Sequence, residues 1–160
     1  MTEELKVGGG TKEERYLSLL SQIKGLTAGE PDAVANMANI CAAIKYGLGY
    51  FWAGFYLVKG GELVLGPFQG PVACTRIKKG RGVCGKSWES GEALIVPDVT
   101  LFPGHIACSA ASRSEIVIPF RDRAGEIAGV LDVDHDTAGA FDLTDQKYLS
   151  EILGLLTSPG

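Results

Sequence analysis

Four cysteines, Cys41, Cys74, Cys84 and Cys108, and an acidic trio, Glu115, Asp132 and Asp134, are the side chains of this 160-residue sequence with the most chemistry to offer. Cys108 ends the segment Pro103-Gly104-His105-Ile106-Ala107-Cys108, three positions after a histidine. Cys74 and Cys84 stand near Arg76, Lys78, Lys79 and Arg81, whose positive charge favours thiolate over thiol. None of the spacings is C-x-x-C and no fourth ligand completes a zinc site, so redox thiols are the better expectation than a metal. Cys41 falls on an apolar helical stripe and reads as core.

The acids belong to two runs that read as a hairpin, Ser114 to Phe120 and Glu126 to Asp134. Residues two apart on a strand share a face, so Ala128, Val130, Asp132 and Asp134 line one side and Ile127, Leu131 and Val133 the other. A four-residue loop at 122–125 sets Arg121 against Glu126 and places Glu115 across from Asp132. Like charges directly opposite are destabilising, and burial makes each carboxylate costlier, so a cation or a retained proton belongs there. Solvation at the open end of the hairpin is the competing reading, but Glu115-Ile116-Val117-Ile118-Pro119 is too apolar for an exposed edge. The cluster suits the α-ammonium of a free amino acid, with one member keeping a proton to donate. Calcium is the rival cation; the spacing does not match an EF-hand loop and the flanks are apolar, so no metal is expected. On another strand Trp52 and Tyr56 share a face across Gly54, with Phe51, Phe55 and Leu57 on the other. They are either ordinary core or a small aromatic box for a methyl or methyl-sulfur group.

The elements that must position these groups are legible as patterns. Thr11 and Glu14 form a capping box before Tyr16, Leu19, Leu20 and Ile23, a helix that runs to Gly25. A second helix begins near Pro31 and carries Val34, Met37, Cys41, Ile44 and Leu48 on one stripe, closed by Gly47 and Gly49. The strand from Tyr50 to Val58, a turn at 59–62 and the strand from Leu63 to Phe68 form a first hairpin. Residues 70–92 are irregular apart from a short helix around Val83 to Glu89, a buried strand covers Ala93 to Val96, and a long loop runs from Pro97 to Arg113. After the second hairpin a helix capped by Asp142 turns Leu149, Ile152, Leu153 and Leu156 inward. The sum is an α+β protein, an antiparallel sheet of about six strands with helices packed on it. Residues 1–10 are expected to be a flexible tail that adds nothing to the core, and 11–160 a single domain.

Composition narrows the setting. With 46% hydrophobic and 21% charged residues the chain is globular rather than disordered. A net charge of −4 with scattered basic residues argues against nucleic acid. No membrane-length apolar run and no secretory signal are present, so a cytoplasmic protein with working thiols, not a disulfide framework, is expected.

A thiol that attacks sulfur, an acid that protonates a departing oxygen and a second thiol that resolves a sulfenic acid are what thiol-dependent sulfoxide reduction requires, and the chain carries candidates for all three. In order along the chain, WAGFYL at 52–57, LGPFQG at 65–70, ACTRI at 73–77, GRGVCG at 80–85, FPGHIAC at 102–108, SRSEIVIP at 112–119 and GVLDVD at 129–134 resemble the free methionine-(R)-sulfoxide reductases, which have the GAF fold. The resemblance implies that Cys108 attacks the sulfoxide of free methionine (R)-sulfoxide and that a disulfide then forms with Cys74. Cys84 matches a third family cysteine, either an alternative resolving thiol or a spectator. The resemblance also implies that Glu115, Asp132 and Asp134 bind and protonate the substrate, and that Trp52 and Tyr56 wall the sulfoxide methyl. No bound cofactor is implied; thioredoxin or another dithiol is the implied reductant, and a homodimer the implied assembly. A non-catalytic GAF module sensing a small ligand, or a redox switch, is the alternative.

Overall fold

Residues 5–105 and 111–156 are described by the structure, a computed structural model. In chain order the elements are α1 (Lys12–Thr27), α2 (Ala33–Leu48), β1 (Trp52–Lys59), β2 (Glu62–Gln69), β3 (Arg76–Lys78), α3 (Gly82–Ser90), β4 (Leu94–Val96), a 3-10 turn (Val99–Leu101), β5 (Ser114–Arg121), β6 (Ile127–His135) and α4 (Leu143–Gly154). The strands form one antiparallel sheet in the order β3-β2-β1-β6-β5-β4.

Local chemistry fixes the element ends. Thr11 and Glu14 close the expected capping box on α1. Asp32 caps α2 by accepting from the Ala35 amide, so Pro31 stands outside the helix, and Val34 is exposed rather than part of the buried stripe. Gly60 and Gly61, with φ of 59° and 80°, make the tight turn between β1 and β2 that needs two left-handed residues.

The two faces of the sheet bury different things. Against one face pack α1, α2 and α4, joining Leu19, Ile23, Ile40, Ile44, Leu149 and Ile152 to Phe55, Ile116, Leu131 and Val133. Asp145, fully buried, ties this side together by accepting from Tyr16 Oη at 2.6 Å, Tyr50 Oη at 2.5 Å and Lys12 Nζ at 2.7 Å. The first residues join it too: Leu5 and Val7 pack against this core, and Lys6 N donates to Gln22 Oε1 at 2.7 Å. The part of the expected tail that is described therefore does contribute to the core. On the opposite face α3 sits over β3, β5 and β6 and encloses a second cluster around Trp52, Tyr56, Val117 and Val130. Gly85 permits its close approach, since a Cβ there would stand 2.6 Å from the carbonyl of Lys78.

The second hairpin departs from the expected register. Its connection is one residue longer than the expected loop, with Asp122 N donating to Glu126 O, and a bulge lies between Phe120 and Arg121. Arg121 therefore pairs with Ile127, and beyond the bulge Glu115 stands opposite Asp134 while Asp132 faces Val117. The bulge also turns Ile127 onto the α3 face, against the strict alternation.

Among the described residues no helix is long and apolar enough to cross a membrane.

Candidate active site

Three central strands deliver the candidate residues to the α3 face in two rows. Trp52 on β1, Asp134 on β6 and Glu115 on β5 are successive cross-strand partners, and the next row is Gly54, Asp132 and Val117. A shared row on one face brings Asp134 and Glu115 within about 5 Å of each other, and Asp132 follows two residues along the same face of β6, so the trio converges. Gly54 does not leave an open gap: a Cβ there would collide with Cη2 of the Trp52 indole and stand 2.6 Å from the Phe68 Cβ, so the indole lies over it. The ring is held by stacking on Phe68 at 5.4 Å and by Nε1 donating to Pro71 O at 2.9 Å. Tyr56 donates through Oη to the carbonyl of Cys74 at 2.9 Å.

These residues line a cavity between the sheet and α3. Trp52, Tyr56, Cys84, Glu115, Asp132 and Asp134 contribute to its wall. Each acid is buried, with exposures of 7% for Glu115, 6% for Asp132 and 9% for Asp134. Burial pushes all three carboxyls up, those of Asp132 and Asp134 far above the ordinary range, and mutual repulsion adds to the effect on both. Carboxyl-to-carboxyl hydrogen bonds and the nearby His105 hold Glu115 lower than burial alone would. Oδ1 of Asp132 is buried without a hydrogen-bond partner among the described residues. The cluster is thus short of donors and rich in acceptors.

A GAF domain match extends over residues 34–158. GAF domain-containing protein A of Dictyostelium discoideum is 58% identical over 98% of this chain and 99% of its own length. The free methionine-R-sulfoxide reductase of Escherichia coli is 44% identical over 91% of this chain and 88% of its own. Among solved structures, the free methionine-R-sulfoxide reductase of Neisseria meningitidis in complex with its substrate superposes with a TM-score of 0.94, at 48% identity over 98% of this chain and 94% of that one. The chain belongs to the GAF domain family, among its free methionine-R-sulfoxide reductases.

The cysteines of this GAF domain separate clearly. Cys41 is a free thiol sealed in the helical core, pushed up to about 12 by burial, with Sγ 3.3 Å from Pro67 O. Cys84 is also free, but it faces the acids: Sγ lies 3.9 Å from Glu115 Oε2. Burial first, then the charges of Asp132, Glu115 and Asp134, push its thiol well above the usual range. Such a thiol is a poor nucleophile, and the basic residues expected to activate it do not offset the carboxylates. Cys74 packs beside the cluster on the α3 face, and its carbonyl accepts from Tyr56 Oη. Cys108 lies outside the described residues. Cys84, Glu115 and Asp132 bring one possible ligand atom each to within 4.8 Å of one another, a grouping that connects two sets of residues the sequence had kept apart.

Some lining residues had no signal, or a weak one. Phe51, assigned by alternation to the opposite face, precedes β1 and joins the cavity wall. His105, Ser112, Arg81, Gly82 and Val83 line it as well. Arg81 occupies the N-cap of α3 without a side-chain cap, and among the described residues the first amides of that helix have no capping side chain. A helix start without Ser, Thr, Asp or Asn at its cap, inside a glycine-rich stretch, is the clue that would have found this.

Proposed function

We propose that this chain reduces free L-methionine (R)-sulfoxide to L-methionine with Cys108 as the nucleophile. The observation that carries the reading is the buried, donor-poor acid cluster at the foot of an aromatic-walled cavity. A free amino acid brings the missing donors in its α-ammonium, and Glu115, Asp132 and Asp134 are the groups to accept them. Its α-carboxylate has a complementary place at the N-terminus of α3 beside Arg81, where amides that no described side chain caps and the positive end of the helix dipole line the same cavity. Trp52 and Tyr56 offer the apolar wall for the S-methyl group.

In the reaction the Cys108 thiolate attacks the sulfoxide sulfur, and a carboxylic acid of the Asp132–Asp134 pair protonates the oxygen. Oxygen passes to the cysteine as a sulfenic acid, sulfur regains its lone pair, and methionine leaves. The thiol of Cys74 then displaces hydroxide, released as water, and a Cys74–Cys108 disulfide forms. A dithiol such as thioredoxin returns both to thiols. We assign resolution to Cys74 rather than Cys84, because the acids around Cys84 oppose its thiolate. Cytoplasmic residence and a homodimer complete the reading.

Turnover tests it. With the separated R epimer and a dithiol, wild type is expected to release methionine and Cys108→Ser to release none. Tight binding without turnover would favour a ligand-sensing GAF module, and full activity in Cys108→Ser would overturn the assignment.

A further inference from the structure

The reduction described above leaves the Cys84 thiol without a role, yet it is placed with care. Its Sγ, one oxygen of Glu115 and one of Asp132 lie within 4.8 Å of one another, and they arrive from three separate elements: α3, β5 and β6. A tetrahedral zinc ion bonds thiolate at about 2.3 Å and carboxylate at about 2.0–2.2 Å, which sets sulfur and oxygen about 3.5 Å apart. The edge from Sγ to Glu115 Oε2 is 3.9 Å, so small side-chain shifts suffice to close it. Independently, Asp132 is 6% exposed and its Oδ1 has no partner among the described residues. It lines the cavity from which a fourth ligand, water, would enter.

We propose that the floor of this cavity is a binding site for a divalent cation of the zinc class, held by Cys84 Sγ, Glu115 and Asp132, and that its occupation excludes the amino group of the substrate. On binding, Cys84 gives up its S–H bond, the proton goes to solvent, and a sulfur–metal bond forms with no change of oxidation state. Sulfur in the ligand set and the small number of oxygens select against calcium and magnesium. Asp134, the cross-strand partner of Glu115, remains outside the coordination sphere and orients it. The exclusion of an amine rests on the reductase reading, whereas the metal site itself does not.

Cobalt(II) is the probe, on a Cys74→Ser, Cys108→Ser double variant in which Cys41 and Cys84 are the remaining thiols. One cobalt per chain is expected to give a sulfur-to-metal charge-transfer band and tetrahedral visible bands. Zinc chloride should displace them, and saturating free methionine should abolish them. Cys84→Ser in this background should remove the charge-transfer band, and Asp134→Asn should weaken cobalt affinity roughly 10–100-fold. Should Cys84→Ser fail to fold, the isosteric Asp132→Asn replaces it and is expected to lose the tetrahedral bands. No band in folded protein, or a band that survives Cys84→Ser, would overturn the metal site, and a band indifferent to saturating methionine, where wild type turns over the sulfoxide, would overturn the exclusion of the amine. Sulfoxide turnover by wild type in excess EDTA is followed separately, so failure of the reductase reading is seen on its own.

Discussion

Asp134 is the acid flanked on both sides, by Trp52 across one ladder and by Glu115 across the other. Its carboxyl is pushed far up by burial and then by Glu115, and an incoming ammonium supplies the positive charge that the cluster lacks. Asp134→Asn keeps the volume and removes the charge. A hydrogen bond to a charged group contributes about 1.5–3 kcal/mol, so KM for the free R sulfoxide is expected to rise about tenfold to a hundredfold. Steady-state kinetics check this, and an unchanged KM would contradict the ammonium role. The same argument governs selectivity. N-acetyl-methionine sulfoxide has an amide where the cluster awaits a cation and should be a poor substrate for wild type. In Asp134→Asn the preference for the free over the acetylated sulfoxide should shrink, because part of the charge that penalises the amide has gone. Equal preference in both proteins would place the amine elsewhere.

At the scale of elements, the paired strands matter more than any single side chain, and Gly54 on β1 shows how. The Trp52 indole occupies the space where a Cβ would stand, so Gly54→Ala must displace the wall of the cavity or the strand. Overpacking of this kind costs about 1–3 kcal/mol. The variant is expected to have a lower urea midpoint together with a raised KM for sulfoxide; loss of stability with unaltered KM would separate Trp52 from the site. That Trp52 and Tyr56 share one face of β1, and Asp132 and Asp134 one face of β6, was legible from period-two alternation, whereas the pairing of β1 with β6 that unites them was not. The facing partner of Glu115 was not, because the bulge at Phe120 and Arg121 and the longer connection shift the register by amounts that no residue type in Asp122-Arg123-Ala124-Gly125-Glu126 announces. The cluster survived the error since Asp132 and Asp134 lie on one face and either can meet Glu115. Strand β3 and the seating of Cys84 were hidden for another reason: three residues carry no period, and a helix placed by glycine contacts with distant backbone leaves little local pattern.

Across the whole molecule, an α+β fold with an antiparallel sheet followed from hairpin signals and capped helices, whereas the division of labour between its faces depended on tertiary placement. On the three-helix face the buried carboxylate, Asp145, is satisfied by two phenols and an ammonium. On the α3 face the carboxylates are left wanting, a stability–function compromise of the kind binding sites carry. The contrast predicts a sign for the pH dependence of stability. Glu115, Asp132 and Asp134 have raised values in the folded chain, so their contribution is fully present below the ordinary carboxylate range and is lost as pH rises through the folded values. Asp98, held low by Thr100, and Asp142, where burial is outweighed by Lys12 together with the amides of Thr144 and Asp145, act in the opposite sense, losing their contribution as pH falls below about 4. Between roughly pH 5 and 8 the cluster therefore decides the slope. Each proton retained by the native cluster but released by the unfolded chain lowers stability by about 1.4 kcal/mol per pH unit of increase. The ligand-free protein is expected to melt at a lower temperature at pH 8 than at pH 5. Asp132→Asn, which removes the most poorly served acid, should flatten that slope and raise the melting temperature at pH 8 while impairing turnover. Thermal melts at fixed ionic strength provide the check: a wild-type profile that rises toward pH 8, or an Asp132→Asn variant less stable than wild type there, would mean that the cluster is paired with cations in the empty protein and does not await one.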